Sequence, residues 1–224
     1  MAPLGGVHWI RSNGEEGFAR AVNRGLDHLA AAGHSAALIL NDDAVLAPGT
    51  LSKLRAAWLI QGGVVGPVIR DRNGTVSSAG FRLRWWGRLR AETTVPSAPM
   101  PVDAVSGACL MVDVRWRFDP RFAHGMEDIE LCRRVQAAGG SVRVIPDAEC
   151  IHWGGATLSA RAPAAQRHAV AGHLHLVGGG WRTLPVLVLA AAQVLRERGP
   201  MERIPAVLDG YRDFRAHHSN RSVT

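Results

Sequence analysis

Eight residues, Ala36-Ala37-Leu38-Ile39-Leu40-Asn41-Asp42-Asp43 (AALILNDD), decide how the rest of this chain is read. Five apolar residues in a row predict a strand buried on both faces, and it runs straight into two acids. Adjacent carboxylates at a strand end repel each other unless a cation or hydrogen-bond donors neutralise them. A hard divalent ion such as Mg²⁺ or Mn²⁺, shared with phosphate oxygens, would do so. Asn and Asp are also ordinary turn formers, and a solvated turn accounts for the same three residues.

Outward from this stretch, strands and helices alternate. Upstream, the apolar run 7–10 (VHWI) predicts a short strand. Residues 15–32 carry Phe18, Ala21, Val22, Leu26 and Leu29 at helical spacing, closed by Gly33. Downstream, a helix is expected after Pro48-Gly49, with Thr50 as its cap, Leu51, Leu54 and Trp58 on the buried face, and Gly62-Gly63 as the stop. Strands are predicted at 64–69, after the Asp71-Arg72-Asn73-Gly74 turn, at 104–112, at 141–145 and at 149–152. A helix is predicted at 127–138. Residues 85–101 show no period and hold three prolines, which predicts a long loop. Beyond about residue 160 the strand signals end, and two basic, apolar helices are expected near 184–198 and 201–216. The pattern is α/β, with a functional site at the carboxyl ends of the strands.

Composition narrows the function. In 224 residues, 47% are hydrophobic and 20% charged, which excludes a mostly disordered chain. The net charge of +7 comes almost wholly from arginine, Lys53 being the only lysine. Those cations are scattered and no RRM, KH or zinc-finger pattern is present, so no nucleic-acid partner is expected. Cys109, Cys132 and Cys150 lack CxxC spacing, which argues against a disulfide framework or zinc cluster and suits a reducing cytoplasm. The start MAPLGGVHWIRSNGEE has no basic segment followed by a long apolar one, so no secretory leader is expected. The most apolar run, 184–195, is shorter than the ~20 residues a membrane span needs. A soluble or peripheral protein is the expectation.

Two further clusters carry chemistry. His124-Gly125-Met126-Glu127-Asp128 opens a helix. Acids in a first turn are favoured by the helix dipole, and that alone accounts for them. A carboxylate at the mouth of a site would equally serve to take a proton from a hydroxyl, and the dipole is expected to hold it ionised at neutral pH. Cys150-Ile151-His152-Trp153-Gly154-Gly155 follows a strand, and His152 could join a carboxylate on a metal ion or simply be one histidine of ten. The turn 13–18 (NGEEGF) has neither GxGxxG nor GxxxxGK[ST] spacing, so neither a dinucleotide fingerprint nor a P-loop is present.

Taken in order, Asn13, Gly17, Phe18, Ala19, Ala21, Asn23 and Gly25, then LILNDD, SGACLMV, FDPRF…MEDIELCRRV and VIPDAECIHWGG, resemble the inverting family-2 glycosyltransferases of GT-A fold, in the rhamnosyltransferase-like branch. The resemblance covers residues 7 to about 158. It implies a GT-A-like mixed sheet flanked by helices over 1–158, incomplete at its N-terminus, and a helical extension over 159–224. By the same resemblance Asp43 is the metal ligand, with His152 joining it on Mn²⁺ or Mg²⁺. Asn41 and Asp42 contact the nucleotide or sugar. Ser106, Gly107 and Ala108 line the sugar pocket, and Trp153 is a further substrate contact. Asp128 is the catalytic base, and Glu127 orients it or binds the acceptor.

The implied partners are a nucleotide-diphosphate sugar donor and a hydroxyl acceptor, a lipid-linked glycan being one candidate. The implied task is polysaccharide or glycoconjugate synthesis for the bacterial cell surface. The family begins with two strand–helix units that grip the nucleotide base, and only six residues precede Val7 here. The expectation is a fragment, a homo-oligomer or partner that supplies the missing half, or a chain that has lost donor binding. In the last case it would serve as a non-catalytic partner subunit. The basic helices, with Arg182, Arg196, Arg198, Arg203 and Arg212, suggest peripheral contact with the inner face of a membrane.

Overall fold

The AALIL stretch forms β1 (Ala36–Leu40), with the bounds its sequence implies. In the computed structural model, residues 7–11, 17–84, 89–122, 125–154, 163–178, 180–196 and 203–219 are described. The chain order is α1 (Gly17–Ala31), β1, β2 (Ala44–Leu46), α2 (Thr50–Gln61), β3 (Val64–Arg70), β4 (Val76–Ser78), β5 (Phe81–Leu83), β6 (Leu89–Ala91), β7 (Met100–Pro101), β8 (Cys109–Asp113), α3 (Glu127–Ala137) and β9 (Val142–His152). Helices α4 (Pro163–Val177), α5 (Thr183–Arg196) and α6 (Arg203–Ser219) follow.

The main sheet runs β1-β8-β3-β9-β2, with β4 beside β3 and β7 beside β9. β8 is antiparallel to both β1 and β3, whereas β3 and β9 are parallel. The central strands lack apolar–polar alternation because both faces are covered. On one face Val64, Val68, Leu110 and Val112 pack with Leu26 of α1 and Ile129, Leu131 and Val135 of α3. On the other, Val65, Ile69, Cys109 and Met111 pack with Leu54 and Trp58 of α2. Val170, Leu174, Val186, Val194, Val207 and Phe214 form a third cluster among α4, α5 and α6.

Several expectations need correction. Residues 7–11 form no strand: they join no ladder of the main sheet, and Trp9 is 83% exposed. Thr50 does not cap α2. The N-cap is Gly49, in the left-handed region (φ 79°), while Thr50 Oγ1 donates to the Glu149 carbonyl (2.7 Å) and accepts from the Glu149 N–H (3.0 Å). Leu51 turns outward and is half exposed, leaving Leu54 to fill the core. The predicted loop at 85–101 contains β6, which hairpins with β5, and β7 on the edge of β9; residues 85–88 lie outside the described residues. The strand expected from 104 starts at Cys109, because 106–108 form a turn.

The two strands expected at 141–145 and 149–152 are one strand, β9. Its pairing to β3 steps from Pro67↔Ile145 to Val68↔Glu149, so that residues 146–148 bulge from the ladder. In the last third, α5 and α6 match the two helices expected there, and α4 was not anticipated. The expected N-terminal turn 13–16 and the stretch 155–162 fall outside the described residues.

Candidate active site

β1, β3 and β9 point the same way, so their carboxyl ends and the start of β8 share one edge of the sheet. The NDD stretch turns there. The Asn41 N–H donates to the Ala108 carbonyl (3.0 Å), and the Ala44 N–H to that of Asn41 (3.2 Å). β2 then pairs with the end of β9, setting Ala44 opposite His152. That register brings Asp43 Oδ1 to 3.0 Å from His152 Nε2, and the Trp153 N–H donates to the Asp43 carbonyl (3.0 Å). Asp42 and the Trp153 indole face outward, Trp153 being 57% exposed.

The Asp43–His152 pair suits a divalent ion. Two neighbouring ligands of an octahedral ion with bonds of ~2.1 Å stand about 3 Å apart, which is the separation seen. Among the described residues no group of three or more His, Cys, Asp or Glu side chains could hold an ion alone.

The second pair sits at the head of α3. Met126 precedes it as N-cap with φ 71°, the one described non-glycine residue in the left-handed region, and makes no side-chain cap bond. Asp128 accepts from the Gly107 N–H at Oδ2 (2.7 Å) and from the Ile129 N–H at Oδ1 (2.8 Å). A β-carbon on Gly107 would meet Asp128 Cβ at 3.2 Å, so any larger residue there would press on Asp128. Glu127 is 8% exposed, and its Oε2 is buried without a hydrogen-bond partner. Burial, followed by the Asp128 carboxyl beside it, pushes Glu127 up to about 7. Burial also raises Asp128, against the pull of its N–H donors. Desolvation is thus the largest influence on both carboxyls, and the N–H donors at the head of α3 act against it.

The turn 106–108 joins the two pairs. Its Gly107 N–H holds Asp128, and its Ala108 carbonyl receives Asn41, so Asn41, Asp43, Gly107, Ala108, Asp128 and His152 belong to one connected frame. Ser106 closes the turn through Oγ, which accepts from the Ala108 N–H (3.3 Å).

Asn23, which the sequence places in the first motif without a role, is a supporting residue. Its amide nitrogen donates to the Phe118 carbonyl (2.8 Å) while its oxygen accepts from the Phe118 N–H (2.7 Å). This two-way clamp docks α1 on the FDPRF stretch that leads to the acids. The signal was an Asn inside an otherwise regular helix, where Asn is unfavourable unless it has such a task.

The fold is that of the GT-A glycosyltransferases. The crystal structure of GalNAc-T7 with UDP, GalNAc and Mn²⁺ matches with a TM-score of 0.56 and 16% identity, over 77% of this chain and 36% of that one. In sequence, the chain is 28% identical over 180 residues to the N-acetylglucosaminyl-diphospho-decaprenol L-rhamnosyltransferases of two strains of Mycobacterium tuberculosis. The match takes in 65% of this chain and 58% of each relative, so the chain spans less than two thirds of the length of these curated relatives. No family model matches the chain. The resemblance to rhamnosyltransferase-like enzymes of GT-A fold, drawn from the motifs, thus agrees with both sequence and fold.

Proposed function

We propose that the chain is an inverting, metal-dependent glycosyltransferase that moves a sugar from a nucleotide-diphosphate donor to a hydroxyl acceptor in cell-surface glycan synthesis. The relatives' name favours a rhamnosyl group and a polyprenyl-diphosphate-linked sugar as acceptor. The observation that carries this reading is the frame from Asp128 through Gly107 and Ala108 to Asn41, which ends at Asp43 and His152.

Asp128 takes the proton of the acceptor hydroxyl. Each of its oxygens accepts one backbone N–H and keeps a lone pair for that hydroxyl, and burial makes it a stronger base than a surface aspartate. Glu127 offers Oε2 to a second acceptor hydroxyl. The acceptor oxygen bonds to the anomeric carbon as the bond from that carbon to the diphosphate oxygen breaks, and the configuration inverts. Ser106, Gly107 and Ala108 border the sugar, Asn41 and Asp42 contact sugar or ribose, and Trp153 stacks on a ring. When bound at Asp43 and His152, Mn²⁺ or Mg²⁺ supplies positive charge to the leaving diphosphate.

A membrane contact belongs to the same reading. Leu184, Val188 and Leu195 line an outward face of α5, and residues 180–196 include no acid, which suits an anionic inner leaflet carrying a lipid-linked acceptor. No helix among the described residues is long and apolar enough to cross a membrane. Flotation on anionic liposomes should weaken in Leu184→Glu with Val188→Glu, and flotation indifferent to both lipid charge and these changes would end the membrane part.

Calorimetric titration of the chain with UDP and dTDP, with and without Mn²⁺, tests the main reading. Metal-dependent binding that disappears in Asp43→Ala is expected. A folded chain that binds neither nucleotide would favour the rival reading, a non-catalytic partner subunit.

A further inference from the structure

Helix α4 crosses the loop that carries the two acids, and it crosses at a glycine. A β-carbon on Gly172 would lie 3.0 Å from the Gly125 carbonyl oxygen and 3.2 Å from both Cβ and Cγ of Met126. Relaxed contacts between heavy atoms are nearer 3.5–4.0 Å, so a side chain here would push the helix and the 125–126 turn apart by a few tenths of an ångström or more. The same crossing is tied twice more. Arg133 Nη1, on α3, donates to the Leu176 carbonyl (2.6 Å), and the Leu176 side chain enters the core beneath α3. The Phe122 ring packs on His175, with centroids 5.8 Å apart. On the other side, Gly107 presses on Asp128 with equal closeness. The acids are gripped between two glycines, one in the 106–108 turn and one in α4.

We infer that α4 is a positioning element of the active site. Gly172 sets the left-handed turn at Met126, and through it the places of Glu127 and Asp128, so that the helical segment and the sheet form one catalytic unit. A residue with a β-carbon holds a positive φ only when its surroundings over-determine it, and α4 supplies that packing. The inference rests on the proposal that Glu127 and Asp128 serve the acceptor.

The test reads the acids first and turnover second. Carboxyl-carbon NMR on the full chain, with Glu127→Gln assigning the resonance, follows the Glu127 titration in the wild type, Gly172→Val, Arg133→Met and Gly210→Ala. Gly210 of α6 is the control. Its β-carbon would meet the Arg167 carbonyl oxygen at 2.5 Å and Val170 Cβ at 2.8 Å, both on α4, so the substitution strains α4 on its side toward α6 and spares its contact with Gly125 and Met126. Asp128 is the titratable group beside Glu127, and none of the three variants replaces it.

Gly172→Val should move the Glu127 midpoint from about 7 toward its ordinary 4.5 as the displaced carboxyl meets water. Gly210→Ala should lower the thermal midpoint and leave the titration unchanged. Arg133→Met, a surface change, should give a smaller shift in the same direction, and it decides the matter if Gly172→Val does not fold. An unmoved midpoint in Gly172→Val and Arg133→Met overturns the inference, as does an equal shift in Gly210→Ala. With an active wild type, Gly172→Val should also lower kcat on the order of tenfold or more at unchanged donor KM, and an unchanged kcat would overturn the inference. A wild type with no turnover sinks the transferase reading alone, since the titration still judges α4.

Discussion

Two pairs of adjacent acids lie in this frame, and the fold treats them in opposite ways. Asp42 and Asp43 occupy a turn between strands, where Asp42 reaches solvent and Asp43 faces an imidazole 3.0 Å away. At a helix start Glu127 is buried and Asp128 half-buried, with backbone N–H groups donating to Asp128 and the two carboxyls side by side. In the first pair the charge is relieved by solvent and a metal-compatible partner. In the second, desolvation raises both carboxyls, Glu127 to about 7, so that these acids hold a proton more readily than surface ones. Adjacent acids thus meet solvent and an imidazole in one place and desolvation in the other, and on the proposed reading these surroundings suit the first pair to a cation and the second to a hydroxyl proton.

The contrast can be broken experimentally. Asp128→Asn removes the proton acceptor while keeping an oxygen for the Gly107 N–H. Turnover should fall on the order of 10²–10⁴-fold, with little change in melting temperature, as initial rates and a thermal melt would show.

Glu127→Gln should act through stability. The folded-state value of about 7 stands above the ordinary 4.5, so the fold prefers the protonated carboxyl. Below about pH 4.5 both states hold the proton and no cost arises. As the pH rises through 7 the unfolded chain has released it first, and stability falls. The substitution should therefore stabilise the chain on the order of 3 kcal/mol at pH 8 and hardly at all at pH 4, read from urea midpoints at the two values. Equal gains at both would mean that Glu127 is not the buried acid described.

Asp43→Ala should reduce Mn²⁺-dependent affinity for UDP or dTDP by about 10–100-fold, with the metal-free affinity unaltered. Gly107→Ala is the mildest probe: the added β-carbon, 3.2 Å from Asp128 Cβ, should cost about 1 kcal/mol in a denaturant melt.

Periodicity made most of the architecture readable. AALIL could only be a strand covered on both sides, and the glycines at 33, 62 and 139 mark helix ends as expected. What escaped was decided by distant partners. Thr50 looked like a cap because nothing local betrays that its hydroxyl is claimed by Glu149, 99 positions away. The bulge at 146–148 reads as a break between two strands, since a ladder that steps its register looks locally like one that stops. At the site, the motif order named residues that the fold brings together but not their electrostatics. The dipole at the head of α3 is a local property, whereas the burial of Glu127 and Asp128 depends on the 106–108 turn and on α4, and the latter gave no clear helical signal.

Strand β9 has a consequence for how the protein breathes. It is hydrogen-bonded along one side to β3 and on the other to β7 near its start and β2 near its end, so it is laced into the sheet along most of its length. Its amides should exchange with solvent only when that whole ladder opens, as a single cooperative unit. His152 ends this strand, and Asp43 adjoins its partner Ala44. Local fraying therefore cannot part the two side chains, and deuterium uptake at 150–152 should be among the slowest in the protein.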